Sequence, residues 1–439
     1  MAQNNDDRNF DPLTPVPSRY RAFAFRDAFA LWFSLGIGLL VLQAGALLVP
    51  GLSLGGAFTA ILIGTVIGVV LLATAGVIGS DTGLAAMGTL RPALGVRGAS
   101  APAVLNVVQL IGWGAFEVGV MRDSADALSR QAFGVSNPLL WTVLFGALAT
   151  WLAVSGPLTF VRRFLRDWGL WLLLGGAAWL TWSMLARHDL TALFRRAGTG
   201  ELTLGEGIDI VAAMPLSWLP LIADYTRFGG SPGSMFRGSA LGYLIANLWF
   251  YALGACYALA AGGGETMLLS ALATTGGGIA LLLVLIDETD NAFADIYSAA
   301  VSTCTVVPGR TTRLSLVYGA LCTIIALLVP KAGYENFLLL IGSVFAPLFG
   351  VLLADHFLLR RRQLDADALA QAQGPYWFTA GWHLKGLLAW AIGIAAYQLI
   401  NTALPGLGAT IPSLALSAVC YLALAAGQRL SMVDASRTR

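Results

Sequence analysis

Residues 214–228 read MPLSWLPLIADYTRF, an apolar segment that would form one continuous helix but for its two prolines. Pro215 and Pro220 lack the backbone donor that an α-helix needs, so the segment predicts a helix that breaks midway. A broken helix frees backbone carbonyls, and at membrane depth these are tolerated only where they line a cavity or are buried in protein. A second break is predicted near residues 36–38 (Gly-Ile-Gly), in the apolar run 28–50. Two interrupted helices at matching positions are typical of secondary transporters with inverted repeats.

The composition excludes a soluble globular protein. The 439 residues are 57% hydrophobic and 11% charged, and their mean hydropathy is +0.74. Soluble domains carry about 25% charged residues, so this chain cannot cover a water-facing surface. The formal net charge of +2 does not indicate nucleic-acid binding, because the basic residues are scattered among loops. Cys256, Cys304, Cys322 and Cys420 have no metal-like spacing and are interpreted as small buried residues.

Twelve apolar runs approach the length of about 20 residues that a membrane-spanning helix needs. They are predicted at 28–50, 55–79, 101–122, 138–155, 168–185, 207–223, 239–263, 277–302, 313–330, 334–357, 384–403 and 409–427. Placing the N-terminus inside puts only six basic residues outside: Arg122, Arg130, Arg187, Arg195, Arg196 and Lys331. The other twenty of the 26 then lie inside, which favours twelve spans with both termini cytoplasmic.

The spans predict the domain organisation of an inner (plasma) membrane protein without a cleavable signal. Its parts are a cytoplasmic N-terminal tail (1–27), a first five-helix repeat (28–185), a second five-helix repeat (207–357), a cytoplasmic connector (358–383), two additional helices (384–427) and a cytoplasmic C-terminal tail (428–439).

Ionisable residues at bilayer depth are costly unless they face a cavity or a partner, so they indicate where function lies. In the run 101–122, Gln109, Trp113 and Glu117 recur every four residues and share one helical face. The Trp ring offers a flat apolar platform, and the carboxylate can accept hydrogen bonds from the edge of a stacked ligand. The alternative is a packed Trp with a Glu paired to an Arg.

The run 277–302 carries a second polar face. Asp287, Asn291 and Asp295 again recur every four residues, and Ser298 and Ser302 extend the same face. Carboxylate, amide and hydroxyl oxygens are the hard ligands that a small cation prefers. This face is predicted to line a transport pathway, and the alternative is that part of it lies solvated at the cytoplasmic mouth.

Further polar residues flank the two breaks. Ser217 and Trp218 lie at the proline break, while Asp224 and Arg227 are three residues apart and are predicted to pair at its cytoplasmic end. Gln43 follows the glycine break in the run 28–50.

The sequence contains no Walker loop, dinucleotide fingerprint or zinc-protease motif. No cofactor is therefore predicted, and an ion gradient is the simpler energy source. Three classes stay open on the residues alone: a carrier, an ion channel or scaffold lined by the acidic face, and an intramembrane enzyme. The last would need paired catalytic groups that the sequence does not show.

Three separated blocks resemble the nucleobase:cation symporter-1 family, which includes cytosine permease and the hydantoin, allantoin and thiamine-precursor carriers. They are PLSWLPLIADYTRF (215–228), IGSVFAPLFGVLLADHFLLRRR (341–362) and SDTGLAAMGTLRPALGVRGA (80–99). The resemblance extends from about Phe23 to Arg362. It implies an all-α fold with twelve transmembrane helices, a five-plus-five inverted repeat of the leucine-transporter type plus two C-terminal helices.

The resemblance also implies roles for single residues. An aromatic residue stacks on the heterocycle and a polar residue one turn later bonds its edge, which match Trp113 and Glu117, although Gln is usual at the second position in some members. Asn291 matches the polar residue of the helix at 277–302, and Trp218 the aromatic of the proline-broken helix. Gln43 and Gln109 complete the predicted substrate site. The family's cation site implies backbone from Ser34 to Gly38 with Ser298 and Ser302, to which the sequence adds Asp295.

The blocks ALWFSLGIGLLVLQAGALLVPGL (30–52) and QLIGWGAFE (109–117) look closest to the branch that carries hydroxymethylpyrimidine, a thiamine precursor. Ionised Glu117 only accepts hydrogen bonds, which suits an exocyclic amine and a hydroxyl. Cytosine also has an amine and is the alternative. The predicted coupling ion is Na⁺, with H⁺ carried by Glu117, Asp287 or Asp295 as the alternative. The expected partners are a pyrimidine and the lipid bilayer, with no nucleic acid and no obligatory protein partner.

Overall fold

The computed structural model describes residues 10–262, 288–328 and 334–437 of the chain. Regular structure in these residues is helical, and their β-structure is limited to two isolated bridges, Phe23 with Gly229 and Thr379 with Trp382. The all-α prediction is confirmed.

The main helices, numbered in chain order, are α1 Phe25–Ser34, α2 Leu39–Ala46, α3 Leu54–Thr82, α4 Ser100–Phe133, α5 Pro138–Ser155, α6 Pro157–Arg187, α7 Leu204–Ser217, α8 Ile222–Thr226, α9 Pro232–Ala261, α10 288–304, α11 Thr311–Leu328, α12 Tyr334–Leu353, α13 Leu384–Ala403 and α14 Thr410–Arg437. Helix α6 contains a π-helical stretch, Val161–Gly169, and a second one, Ala354–Leu359, continues α12.

Both predicted breaks are present. Helices α1 and α2 meet at an angle of 57° around residues 35–38. Gly38 has a φ of 149°, a backbone conformation that residues with a Cβ rarely adopt, and this glycine therefore permits the chain to turn. Helix α7 ends at Ser217 and α8 begins at Ile222, with turn residues between them that include Pro220.

Nine helices of the described residues are long and apolar enough to cross a membrane, and the bent pair α1–α2 makes a tenth. Helix α10 covers the second part of the predicted run 277–302, whose residues 277–287 lie outside the described ones. Helix α14 contains a shorter apolar stretch, Thr410–Ala426. The total of twelve spans stays a prediction.

Four predicted helix ends are wrong by about two turns or more: α9 begins at Pro232 rather than 239, α14 ends at Arg437 rather than 427, and the other two belong to α4 and α6. Helix α4 continues to Phe133, about three turns beyond the predicted end at 122. Within this extension Asp126 and Arg130 form an ion pair of 2.9 Å at the i,i+4 spacing, which suits a helix that has left the apolar layer. Helix α6 begins at Pro157 rather than 168, since its first turns are polar yet helical. Hydropathy marks the end of the apolar stretch, and not the end of the helix.

The helices pack as three groups. The first helix group contains α1, α2, α3, α7, α8 and α9, with α6 packed against α1, and the second contains α4, α5 and α11. Helix α10 contacts both groups: Ser302 and Thr289 bond to side chains of α4 and Thr303 to Tyr318 of α11, while Asp290 and Ala294 accept from Ser34 of α1 and Tyr225 of α8. Helices α12, α13 and α14 form the third group. Both broken helices thus belong to the first group, and they face α10 and α4 of the second group.

One buried carboxylate joins the third group to the first. Asp209 of α7 accepts hydrogen bonds from the backbone nitrogens of Ala409 (3.0 Å) and Thr410 (2.9 Å), at the start of α14. These nitrogens have no partner within their own helix, so Asp209 caps α14 from a different helix.

Helices α2 and α9 approach each other at backbone distance. A Cβ on Gly45 would lie 2.3 Å from the carbonyl oxygen of Tyr251, and a Cβ on Gly254 would lie 2.0 Å from that of Leu42. Small residues permit such close helix packing in membranes, where apolar burial between helices contributes little. The position of α2, and with it the break before Leu39, therefore depends on these glycines.

We expect Gly254→Ala to lower the free energy of unfolding by about 1–3 kcal/mol, because the added methyl group forces α2 and α9 apart. Thermal unfolding of the detergent-solubilised protein measures the change. Gly175→Ala is the matched control, since no described atom lies within 4 Å of a Cβ added there. Equal melting temperatures for the two variants would contradict the close contact.

Candidate functional site

A cavity lies between the two helix groups, at the level of both breaks. Twelve described residues form its wall: Leu35, Leu40, Val41, Leu110, Trp113, Glu117, Met214, Ser217, Trp218, Leu221, Asn291 and Asp295. Its volume is about 30 Å³. About 10–15 Å³ suffices for one water molecule, so a heterocyclic ring needs the walls to move apart.

Helix α4 contributes Trp113 and Glu117, the two residues for which the sequence predicts stacking and hydrogen bonding to a ligand. Trp113 and Glu117 are one turn apart, are only 8% and 3% exposed, and both line the cavity. The Trp113 ring contacts that of Phe116, with centroids 6.3 Å apart. Gln109, on the same face, is buried but is not in the wall; its amide nitrogen donates to Asn106 Oδ1 at 2.6 Å.

The proline break contributes a second aromatic ring. Trp218 lines the cavity and packs edge-on against Trp32 of α1, with centroids 6.2 Å apart and ring planes at 87°. Trp32 in turn contacts Tyr243 of α9 at 6.1 Å. The Trp218 ring is thus held by packing within the first helix group, whereas Trp113 belongs to the second.

Helix α10 contributes the polar part of the wall. Asn291 and Asp295 are one turn apart and both line the cavity. Asn291 Oδ1 is buried and makes no hydrogen bond to any described residue. Asp295, which the sequence adds to the predicted cation site, lines the same cavity as Glu117. The wall therefore combines two aromatic rings with two carboxylates and an amide, a set rich in hydrogen-bond acceptors.

The break between α1 and α2 is held by two acidic residues of α10. The Ser34 hydroxyl at the end of α1 donates to Asp290, and the backbone nitrogen of Leu39 at the start of α2 donates to Glu288 Oε1 at 2.6 Å. Gly38 has no side chain that could cap α2, so Glu288 supplies the acceptor. A carboxylate is also favoured there by the helix dipole.

Glu288 and Asp290 are not among the site residues predicted from the sequence, because the four-residue spacing of polar residues indicates a different face of α10. Both are buried, and Glu288 Oε2 and Asp290 Oδ1 have no hydrogen-bond partner among the described residues. Asp287, the first member of the predicted face, lies outside the described residues. The break itself was the signal that could have predicted them. The first backbone nitrogens of a helix that follows a glycine, such as that of Leu39, need a hydrogen-bond acceptor from another part of the chain.

The remaining predicted residues lie near the cavity without lining it. Ser302 accepts from Asn106 Nδ2 at 2.8 Å, and the Ser298 hydroxyl lies 3.5 Å from that of Tyr225. Ser302 and Ser298 thus contact α4 and α8, whereas Ser34 and Gly38 lie at the break between α1 and α2. Gln43 is buried on α2, outside the set of wall residues.

The predicted pairing of Asp224 with Arg227 takes a different form. Arg227 Nε donates to the backbone carbonyl of Asp224 at 3.2 Å, and its Nη2 donates to the Tyr297 hydroxyl at 3.0 Å. The Asp224 carboxylate accepts from the backbone nitrogen of Ala86 at 2.8 Å. The short turn after Pro220 brings the guanidinium to the main chain instead of to the carboxylate.

Comparison with known proteins gives the family. The profile of a family described as "Permease for cytosine/purines, uracil, thiamine, allantoin" matches residues 15–421. A hydantoin permease from Microbacterium maritypicum is 23% identical over 87% of this chain and 82% of its own length. The cytosine permease of Escherichia coli (strain K12) is 26% identical over 89% of both chains.

Solved structures give the fold. A nucleobase-cation-symport-1 family transporter, in a closed conformation with bromovinylhydantoin bound, matches with a TM-score of 0.83 at 20% identity, over 94% of each chain. A Na⁺-coupled sialic acid symporter in a substrate-bound outward-open state matches with a TM-score of 0.61 at 12% identity, over 95% of this chain and 91% of the other. These likenesses confirm the predicted inverted-repeat fold of the leucine-transporter type.

The family profile covers nearly the whole chain, the relatives it resembles are permeases, and the helices are those of a multi-pass membrane protein. The chain is therefore a secondary transporter and not an enzyme, and it belongs to the nucleobase:cation symporter-1 family.

Proposed function

We propose that this transporter imports a pyrimidine with an exocyclic amine together with a cation, by alternating access. Hydroxymethylpyrimidine is the first candidate substrate and cytosine the second. The observation that carries the proposal is that Trp113, Glu117 and Asn291 come from two helices and line one cavity. The cytosine permeases among the relatives support the second candidate.

The chemistry of the wall favours a donor-rich ligand. A flat ring between the groups that carry Trp113 and Trp218 gains apolar burial and stacking, which tolerate any heterocycle. Discrimination between substrates then depends on the hydrogen-bonding groups at the edge of the substrate ring. An ionised Glu117 accepts hydrogen bonds only, so an amine or a hydroxyl suits it better than the carbonyl-rich edge of uracil or a hydantoin.

The proposed topology follows from the same sequence features. Both termini are cytoplasmic, residues 28–185 and 207–357 form the two repeats, and the connector 358–383 is cytoplasmic. The excess of basic residues on the side of the N-terminus supports this orientation. The breaks at α1–α2 and α7–α8 occupy corresponding first positions of the two repeats.

For the cation we propose Na⁺, bound at the break between α1 and α2, with H⁺ as the alternative. Backbone carbonyls from Ser34 to Gly38 would supply part of the ligand set. The partner oxygens are those of Asp290 and Glu288, since both reach this break and each has a second oxygen without a described partner. Hard oxygen ligands of this kind suit a small cation.

Replacing Trp113 tests the stacking. We expect Trp113→Ala to raise the KM for uptake by about tenfold or more, because base–aromatic stacking contributes roughly 1–3 kcal/mol per base. Uptake of labelled hydroxymethylpyrimidine into proteoliposomes measures it. Trp113→Phe keeps a ring and serves as the control with near-normal KM. Normal transport by Trp113→Ala would exclude the stacking role.

A competition panel tests the substrate class. Hydroxymethylpyrimidine, cytosine, uracil and hydantoin compete against the labelled substrate, and the two amino compounds should inhibit at the lowest concentrations because their amines match the acceptor-rich wall. In Glu117→Gln the preference should move towards uracil, since an amide offers a donor as well as an acceptor. Strongest inhibition by uracil or hydantoin in the unaltered protein would defeat the aminopyrimidine proposal.

The coupling ion is tested by uptake with and without Na⁺ at one fixed pH. We expect uptake to fall sharply without Na⁺, and Asp290→Asn to raise the Na⁺ concentration that gives half-maximal uptake, because the site loses a charge. Asp126→Asn is the control, since Asp126 is buried at the far end of α4 near Ser136. Undiminished uptake without Na⁺ would instead favour H⁺.

A further inference from the structure

The second break, between α7 and α8, has a polar side chain of its own. Asn106 Nδ2 donates to the carbonyl oxygen of Pro220 at 3.2 Å and to the Ser302 hydroxyl at 2.8 Å. Its Oδ1 accepts from Gln109 Nε2 at 2.6 Å. Asn106 is fully buried, and its one side chain thus joins α4, α10 and the break.

The Pro220 carbonyl needs this partner because the helix is interrupted. In a continued helix it would accept from the backbone nitrogen of Asp224, but that nitrogen donates to Leu221 at 2.9 Å. A buried carbonyl without a partner is costly at membrane depth. Asn106 therefore donates a hydrogen bond to the Pro220 carbonyl, which lacks a partner within its helix only because the helix is broken there.

The bond crosses the boundary between the two helix groups. Asn106 belongs to α4 of the second helix group, whereas Pro220 lies between α7 and α8 of the first. Alternating access requires one group to move against the other around the site. A hydrogen bond across the boundary must break whenever the groups separate at that level.

The layer formed by Asn106, Pro220 and Ser302 lies directly beside the cavity, on one side of it. Leu110 lines the cavity, and Asn106 is one helical turn nearer to the start of α4 at Ser100. Leu221 also lines the cavity, and Pro220 precedes it in the chain. Along α10, Ser302 is two turns beyond Asp295. In the proposed orientation the start of α4 is cytoplasmic, so this layer closes the cavity towards the cytoplasm.

We propose that Asn106 holds the cytoplasmic side of the cavity closed, and that its bond to Pro220 breaks when substrate is released inward. Asn106 does not line the cavity, so its role is one of positioning and gating. The inference requires transport and the proposed orientation, but it does not depend on which pyrimidine or which ion is carried.

The test measures access to Ser298, which is fully buried one turn beyond Asp295 on the same side as Ser302. A Ser298→Cys reporter is placed in a chain whose four native cysteines are replaced. Inside-out membrane vesicles expose the cytoplasmic face to a membrane-impermeant maleimide without any substrate present. We expect Asn106→Ala to raise the labelling rate about fivefold or more, which corresponds to the loss of an ordinary hydrogen bond.

Asn247→Ala is the matched control. Asn247 is another fully buried amide, and its nitrogen donates to the Thr65 hydroxyl at 2.7 Å, but both residues belong to the first helix group. Asn247→Ala should lower the melting temperature in detergent about as much as Asn106→Ala while labelling stays slow. Equal labelling of the two variants would show general loosening and would overturn the proposal.

Ser302→Ala gives a second variant in case Asn106→Ala does not fold. It removes one acceptor and leaves the bond from Asn106 to Pro220, so labelling should be faster than in the parent but slower than in Asn106→Ala. Labelling as slow as in the parent for every variant that folds would also overturn the proposal. Because no substrate is used, this result is independent of the uptake panel.

Discussion

The structure depends on one constraint, that backbone polar groups at membrane depth need hydrogen-bond partners within the protein. Two helices violate their own hydrogen-bond pattern, one at Gly38 and one at Pro220. In each case a side chain from another helix replaces the missing partner: Glu288 for the nitrogen of Leu39, and Asn106 for the carbonyl of Pro220. The breaks are thus stable only in contact with α4 and α10.

This dependence also explains where the cavity lies. The two helices that satisfy the breaks are the ones that carry the polar wall, Trp113 and Glu117 on α4 and Asn291 and Asp295 on α10. A helix break leaves space because its side chains no longer pack at regular intervals, and the facing helices supply the chemistry that fills the space. Under the proposals made above, ligand binding and closure of the cavity both depend on the contacts of the broken helices with α4 and α10.

Much of this arrangement could be predicted from the sequence, because the deciding signals are local. Prolines and glycines mark the breaks, and four-residue spacing places Trp113 with Glu117 and Asn291 with Asp295 on shared faces. The destination of each acid in DETDNAFAD could not be predicted, since it depends on how α10 is rotated against α1. Thus Asp295 lines the cavity, while Glu288 and Asp290 bond to the break. The end of α4 was also missed, because a helix continues past the apolar layer as long as its backbone bonds and a pair such as Asp126–Arg130 support it.

The cap that Asp209 provides for α14 has a consequence for the modularity of the protein. The proposed organisation places α13 and α14 outside the inverted repeat, and an accessory element of this kind can ordinarily be lost or exchanged at little cost. In this protein the first backbone nitrogens of α14 hold a buried carboxylate of the proline-broken helix. A chain that ended after the repeats would leave that carboxylate with neither donor, which is strongly destabilising for a buried charge. The helices before α13 therefore depend on α14 for the partners of this carboxylate, and the two parts are stable together rather than separately.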